Sequence, residues 1–234
     1  MRLRLVILFL VSIIGLQSAS GQTILNMPEH DQKAYYFGIT FGTNFSTYKI
    51  KYSESFTNED TFKSIQPGFG PGFNLGLMGN LRLTSFIDAR FNPTLIFAEK
   101  PMTVNMRGFD GSDSSSSKSI ESIYLHLPFQ LKFKSDRINN FRFYGLAGVK
   151  FDFDLAANAR SRKKDEILKV SAFDYGYELG AGFEFYYPNF IFSPEIKLSQ
   201  GLGNALFKDP RIPLSNAVNG LSTRMIVISI HIEG

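Results

Sequence analysis

From Tyr35 onward the chain alternates large apolar residues with small or polar ones. The cleanest stretch is Phe173–Phe185, in which odd positions are apolar or aromatic (Phe, Tyr, Leu, Ala) and even positions are only Asp, Glu or Gly. A strand points successive side chains to opposite faces, so this segment has one apolar face and one face carrying three carboxylates spaced by glycines. Eight segments follow the rule: Tyr35–Tyr48, Gly72–Leu83, Phe86–Phe97, Ile123–Phe133, Phe141–Leu155, Phe173–Phe185, Phe190–Leu198 and Arg224–Ile232. Pro93 interrupts the third, because proline cannot donate to a ladder. The predicted connections alternate in length. Residues 49–71, 98–122, 156–169 and 199–223 are long, whereas 84–85, 134–140 and 187–189 are short. Four long loops at one end, three short turns at the other and apolar outward faces predict an all-β fold, an eight-stranded antiparallel transmembrane β-barrel of the bacterial outer membrane. A soluble eight-stranded barrel has no need of outward aromatic bands.

The N-terminus agrees with export. Arg2 and Arg4 precede an apolar run, Leu5–Leu16, followed by Ser18-Ala19-Ser20-Gly21. That order is a cleavable signal peptide, and the run is too short for a spanning helix, which needs about 20 residues. We expect residues 1–21 to be removed, residues 22–34 to form a short periplasmic extension without periodicity, and residues 35–234 to form the barrel. Without Arg2 and Arg4 there are 23 basic and 21 acidic residues, so the high pI is a weak signal and gives no reason to expect nucleic acid. Cysteine is absent, which excludes disulfides, thiol chemistry and lipidation at the cleavage site.

The candidate site is the barrel interior. Arg90, Arg142, Lys150, Asp152, Asp174, Glu178 and Glu195 fall on inward faces, with Asp88, Asp154, Glu184 and Lys197 beside them. An interior at eight strands is just wide enough for side chains, so mixed charge predicts a salt-bridged plug rather than a pore. Glycines 176, 180 and 182 would leave room for larger residues opposite. The three histidines, His30, His126 and His231, have no metal-ligand spacing, and His126 is expected as a satisfied interior residue. Asp110, Asp113 and the Ser114–Ser117 run suggest a polar loop, not a catalytic rim, so no enzyme, metal or cofactor is expected. Arg160, Arg162, Lys163 and Lys164 cluster in the third long connection, where a solvated loop or contact with lipopolysaccharide phosphates or an acidic partner is expected.

Several stretches resemble the PorT/SprT family of the Bacteroidetes, the barrel protein of the type IX secretion and gliding motility machinery. They are Leu25–Pro28 with Asp31–Lys33, Pro71–Leu77, Lys134–Arg142, and Phe192–Ser199 followed by Gly201-Leu202. The last two are the most specific. The C-terminus, His231–Gly234, lacks the terminal aromatic common among such barrels. The resemblance implies a non-enzymatic outer-membrane protein supporting export of proteins with C-terminal sorting domains. Its partners would be outer-membrane lipid, lipopolysaccharide and other secretion components. The short turn containing Asp136, Arg137, Asn139 and Asn140 would be a periplasmic docking element. The alternative is a small porin-like or adhesion barrel that binds ligand or a surface through its long loops.

Overall fold

Alternation at a period of two produces strands that close on themselves. In the computed structural model, which describes residues 24–53, 56, 62–107, 113–157, 168–209 and 212–234, twelve strands are formed. They are β1 (Tyr35–Tyr52), β2 (Phe62–Pro67), β3 (Gly70–Arg82), β4 (Ile87–Phe91), β5 (Thr94–Arg107), β6 (Asp113–Lys134), β7 (Phe141–Asp154), β8 (Lys169–Val170), β9 (Phe173–Tyr186), β10 (Ile191–Gly201), β11 (Leu206–Phe207) and β12 (Val218–Glu233). A 3-10 turn, Pro28–Gln32, precedes β1, and a five-residue helix, α1 (Pro213–Ala217), precedes β12. The expected leader 1–21, the basic residues Arg160, Arg162, Lys163 and Lys164, and Asp110 lie outside the described residues.

Eight antiparallel strands form a ring: β1, β3, the broken pair β4 and β5, β6, β7, β9, β10 and β12, which returns to β1. The expected interruption at Pro93 separates β4 from β5, yet both fragments pair with β3 on one side and β6 on the other. The Pro93 carbonyl still accepts from the Leu77 amide at 3.0 Å, so only the missing donor is lost. Closure matters because it leaves no ring strand with an unpaired edge, the only way a sheet can satisfy its backbone in hydrocarbon.

The pattern of exposure is inside out. Strand β9 alternates exposed and buried along its length, with Phe173, Tyr175, Leu179 and Phe183 outside and Asp174, Glu178 and Glu184 inside. Outward phenylalanines stack across neighbouring strands, Phe73 on Phe97 at 4.4 Å and Phe91 on Phe129 at 4.7 Å between ring centroids. A contiguous outward apolar belt of this kind is far larger than a soluble monomer exposes. At 14 residues, β7 and β9 exceed the about 9–11 that a tilted spanning strand requires. Gly182 shows what the inward glycines do: a Cβ there would lie 2.5 Å from the Tyr144 ring and hydroxyl, so the missing side chain makes space for that tyrosine.

The long-loop end differs from expectation. Residues 98–107 and 113–122 are not an open loop but the continuation of β5 and β6 as a paired hairpin, and β2 covers the free edge of β5. The Ser114–Ser117 run is therefore strand, registered against Met106, Asn105, Val104 and Thr103. Serines with no apolar alternation hid it, because the burial comes from the partner strand, where Met102 and Val104 face inward. The connection 199–223 likewise contains β11, α1 and the first turns of β12.

Candidate functional site

The barrel axis passes through three zones, each set by which residues the inward parity delivers at that height. Nearest the short-turn end is a dense ionic layer. Lys134 contacts Asp88 at 2.6 Å and the Tyr36 hydroxyl donates to the same carboxylate at 2.7 Å. Lys132 pairs with Glu184, which also accepts from the Tyr186 hydroxyl at 2.7 Å. Arg90, fully buried, meets Glu195 at 2.7 Å and donates through Nε to Asn80 at 3.0 Å. The Tyr144 hydroxyl donates to Glu195 at 2.8 Å, and His231 lies 3.4 Å from it. Glu233 completes the layer, 3.7 Å from Lys132 and 3.9 Å from Arg90.

Midway up, His126 is clasped by two carboxylates, with Nδ1 2.5 Å from Asp152 and Nε2 3.3 Å from Glu178. Lys150 pairs with Asp152 at 2.6 Å, and Lys197 with Glu178 at 3.2 Å. Gln130 donates to Glu178 at 2.7 Å. Buried charges persist when they are paired, and each carboxylate here has a lysine beside it, while His126 Nε2 meets Glu178 as an ion contact without a hydrogen bond.

Asp174 stands apart. It is buried at the long-loop end, where it accepts from the Thr223 hydroxyl at 2.5 Å and from the Gly203 amide at 3.0 Å, holding the chain as it leaves β10. Above it the interior turns apolar. Tyr48, Ile65, Met102, Val104, Leu168, Leu206, Leu214, Val218 and Leu221 form a core that closes the long-loop mouth. Beneath this cap lies Lys100, buried without a carboxylate in direct contact, donating to the Tyr124 hydroxyl at 2.8 Å between the Tyr48 and Tyr124 rings.

The short-turn mouth is closed by polar contacts from Ile24–Gln32, which cross beneath the ring. Asn140 grips this strap twice, its Nδ2 donating to the Ile24 carbonyl and its Oδ1 accepting from the Asn26 amide, both at 2.8 Å. Arg137 directs its guanidinium to the Asn26 and Met27 carbonyls and lies flat over Tyr186, 3.7 Å from the ring centroid. Asp31 pairs with Arg142 at 3.1 Å and Arg137 at 3.5 Å. Arg142 thus bridges the strap and the ionic layer, where it also lies 3.9 Å from Glu184.

The strap carries His30 upward into the mouth. The residue is 3% exposed, its ring 4.5 Å from Tyr36 and 6.0 Å from Tyr186, and among the described residues neither ring nitrogen has a hydrogen-bond partner. Burial, reinforced by the Arg82 charge, pushes its pKa down to about 4. Met27, with φ 48°, adopts the left-handed conformation that turns the chain there. Of the four turn residues picked out from the sequence, Asp136 and Asn139 face outward, whereas Arg137 and Asn140 are occupied by the strap. Asn139, at φ 56°, supplies the left-handed turn position that asparagine tolerates.

Sequence reasoning missed the strap and the apolar cap. The strap is held largely through backbone carbonyls, which leave no residue signature. Among the described residues no group of three or more His, Asp and Glu side chains is placed to hold a metal ion. A depression of about 500 Å³ lies on the outer wall, between Phe37, Leu81, Phe91 and Phe129, and not in the lumen.

A family model described as outer membrane protein beta-barrel domain matches residues 21–206. No curated protein sequence matches the chain. Among solved structures, OprG, an outer membrane protein of Pseudomonas aeruginosa, is 14% identical, with 86% of this chain and 96% of that one covered and a TM-score of 0.40. Ail, the attachment invasion locus protein of Yersinia pestis, is 15% identical over 86% and 100% of the two chains, with a TM-score of 0.38. The outer membrane protease OmpT of Escherichia coli is 11% identical over 85% and 95%, with a TM-score of 0.39.

Proposed function

The chain belongs to the outer membrane protein beta-barrel domain family and resides in the outer membrane, and on that premise we propose that it is a non-enzymatic, non-conducting barrel that supports type IX protein secretion. The observation that carries the reading is the closed interior: paired charges fill the lumen between an apolar cap and a polar strap. Such a barrel acts through its two ends and its outer wall. Cargo does not pass through it, and the inward carboxylates serve as counter-ions, not as acids or bases.

The choice of secretion over solute uptake rests on the sequence resemblance, above all the Ser193–Lys197 segment and the Lys134–Arg142 turn. In this reading the short-turn end, periplasmic by the rule for bacterial barrels, meets the other secretion components. Lipopolysaccharide phosphates meet Arg160, Arg162, Lys163 and Lys164. Gene deletion followed by proteomics of the culture medium tests it. Loss of proteins bearing C-terminal sorting domains, with solute uptake intact, is the expected outcome. Normal secretion with impaired uptake would overturn it, as would large steady conductance from the purified protein in planar bilayers.

A further inference from the structure

The strap at the short-turn mouth is held in part through its main chain. Asn140 reads one carbonyl and one amide, and Arg137 reads two carbonyls, all of them main-chain groups. A primary amide that donates and accepts along an extended segment is a generic backbone clamp, the side-chain counterpart of adding a strand to a sheet edge. Ile24, 83% exposed, contributes little beyond its carbonyl. Specificity comes from three strap side chains: Asn26, which donates to the Tyr186 carbonyl at 2.8 Å, His30 in the aromatic pocket, and Asp31 against two arginines.

The resident segment is a poor occupant of that pocket. His30 buries two ring nitrogens without partners between tyrosine rings, a penalty that an apolar aromatic ring of similar size would not incur. Met27 adds a left-handed backbone at a non-glycine residue directly before a proline, where extended geometry is favoured. A clamp that grips backbone, offers an aromatic pocket beside a pair of arginines, and holds an imperfect cis ligand has the features of an exchangeable site.

We propose that this mouth is a peptide-binding site whose own strap occupies it until a segment of a partner protein that takes up the same turn displaces it. The favoured segment carries Asn, three intervening residues, an aromatic residue and then an acidic one. The aromatic ring enters between Tyr36 and Tyr186, the acidic group pairs with Arg137 and Arg142, and the backbone takes over the contacts of Asn140. The identity of the partner rests on the secretion reading; the binding itself does not, and is measured on purified protein.

The test uses the full-length protein in detergent micelles and a fluorescently labelled synthetic peptide of residues 22–34 with Phe in place of His30. Anisotropy should report saturable binding. Asn26→Ala, which loosens only the resident strap, should tighten binding at least tenfold, because less competition comes from within. Asn140→Ala should weaken binding about tenfold in the Asn26→Ala background, where the resident strap competes least. The His30-containing peptide should bind at least tenfold more weakly than the Phe peptide. Absence of binding to both wild type and Asn26→Ala would overturn the proposal and leave the strap a permanent seal. Affinity left unchanged by Asn140→Ala in the Asn26→Ala background would place the peptide elsewhere and overturn it equally. Peptide binding with normal secretion in the deletion strain would refute the secretion reading alone.

Discussion

The two ends of this barrel are closed by opposite means. At the long-loop end, side chains from β1, β2, β5, β11, α1 and β12 bury one another in an apolar cap. At the short-turn end a single segment, in part a 3-10 turn, is held by hydrogen bonds to main-chain groups, two arginine contacts to one aspartate, and a histidine in an aromatic pocket. Apolar burial is non-directional and indifferent to protons and moderate salt; directional polar contacts can be made and broken by conditions or by a competitor. One end is closed by apolar packing and the other by polar contacts, with the ionic lumen between them.

The difference can be broken most forcefully at the cap. Leu221→Ala removes a side chain that is only 1% exposed and should cost about 2–5 kcal/mol. The loss should appear as faster proteolysis of the β5–β6 hairpin, while hydrogen exchange in the strap stays unchanged.

Acid should act on the strap through His30. The His30 pKa lies near 4 in the folded state against 6.5 when free, so the unfolded or released strap binds the proton more readily. The strap is fully held above pH 6.5 and loses stability as pH falls from there toward 4, by at most a few kcal/mol. Arg82 and Lys33 reinforce the shift, while Asp31 and Glu184 oppose it. Amide exchange over residues 24–33 should accelerate across that window, and His30→Phe should flatten the response. An equal acceleration in the cap would erase the distinction.

A smaller effect is expected from Asn140→Ala, which removes two hydrogen bonds to the strap and one from Arg137, and should weaken the strap by about 1–2 kcal/mol in the same exchange measurement at pH 7.5. Smallest is salt. Raising ionic strength should weaken the partly exposed Asp31 pairs by less than about 1 kcal/mol and leave the cap unmoved.

What could be read from sequence follows from which signals are local. Strand existence and the inward set were legible, since parity alone assigns Arg90, Lys150, Asp152, Glu178 and Glu195 to one face. Their partners were not. Arg90 meets Glu195, 105 residues away, only because the ring closes with a particular stagger between strands. Asp174 shares the parity of Glu178 but sits at the level where the interior has become apolar, a height that periodicity does not encode. The extension of β5 and β6 was hidden because Ser114–Ser117 has no apolar alternation, and the strap because Arg137 and Asn140 bind main-chain groups more than 100 residues away.

The seam between β1 and β12 has a consequence in time. Its register runs from Gly38 opposite Glu233 to Tyr52 opposite Val218, so it joins segments with nearly the whole barrel between them. Contacts at such separation require the largest loop closure and form slowly. Every other ring pairing can form while the sheet is still open, but until this one does, β1 and β12 each present a row of amides and carbonyls that hydrocarbon cannot satisfy. Entry into the bilayer and closure of the seam are thus bound into one event, and a chain arrested before it is a sheet with two reactive edges, ready to pair with whatever strand it meets first.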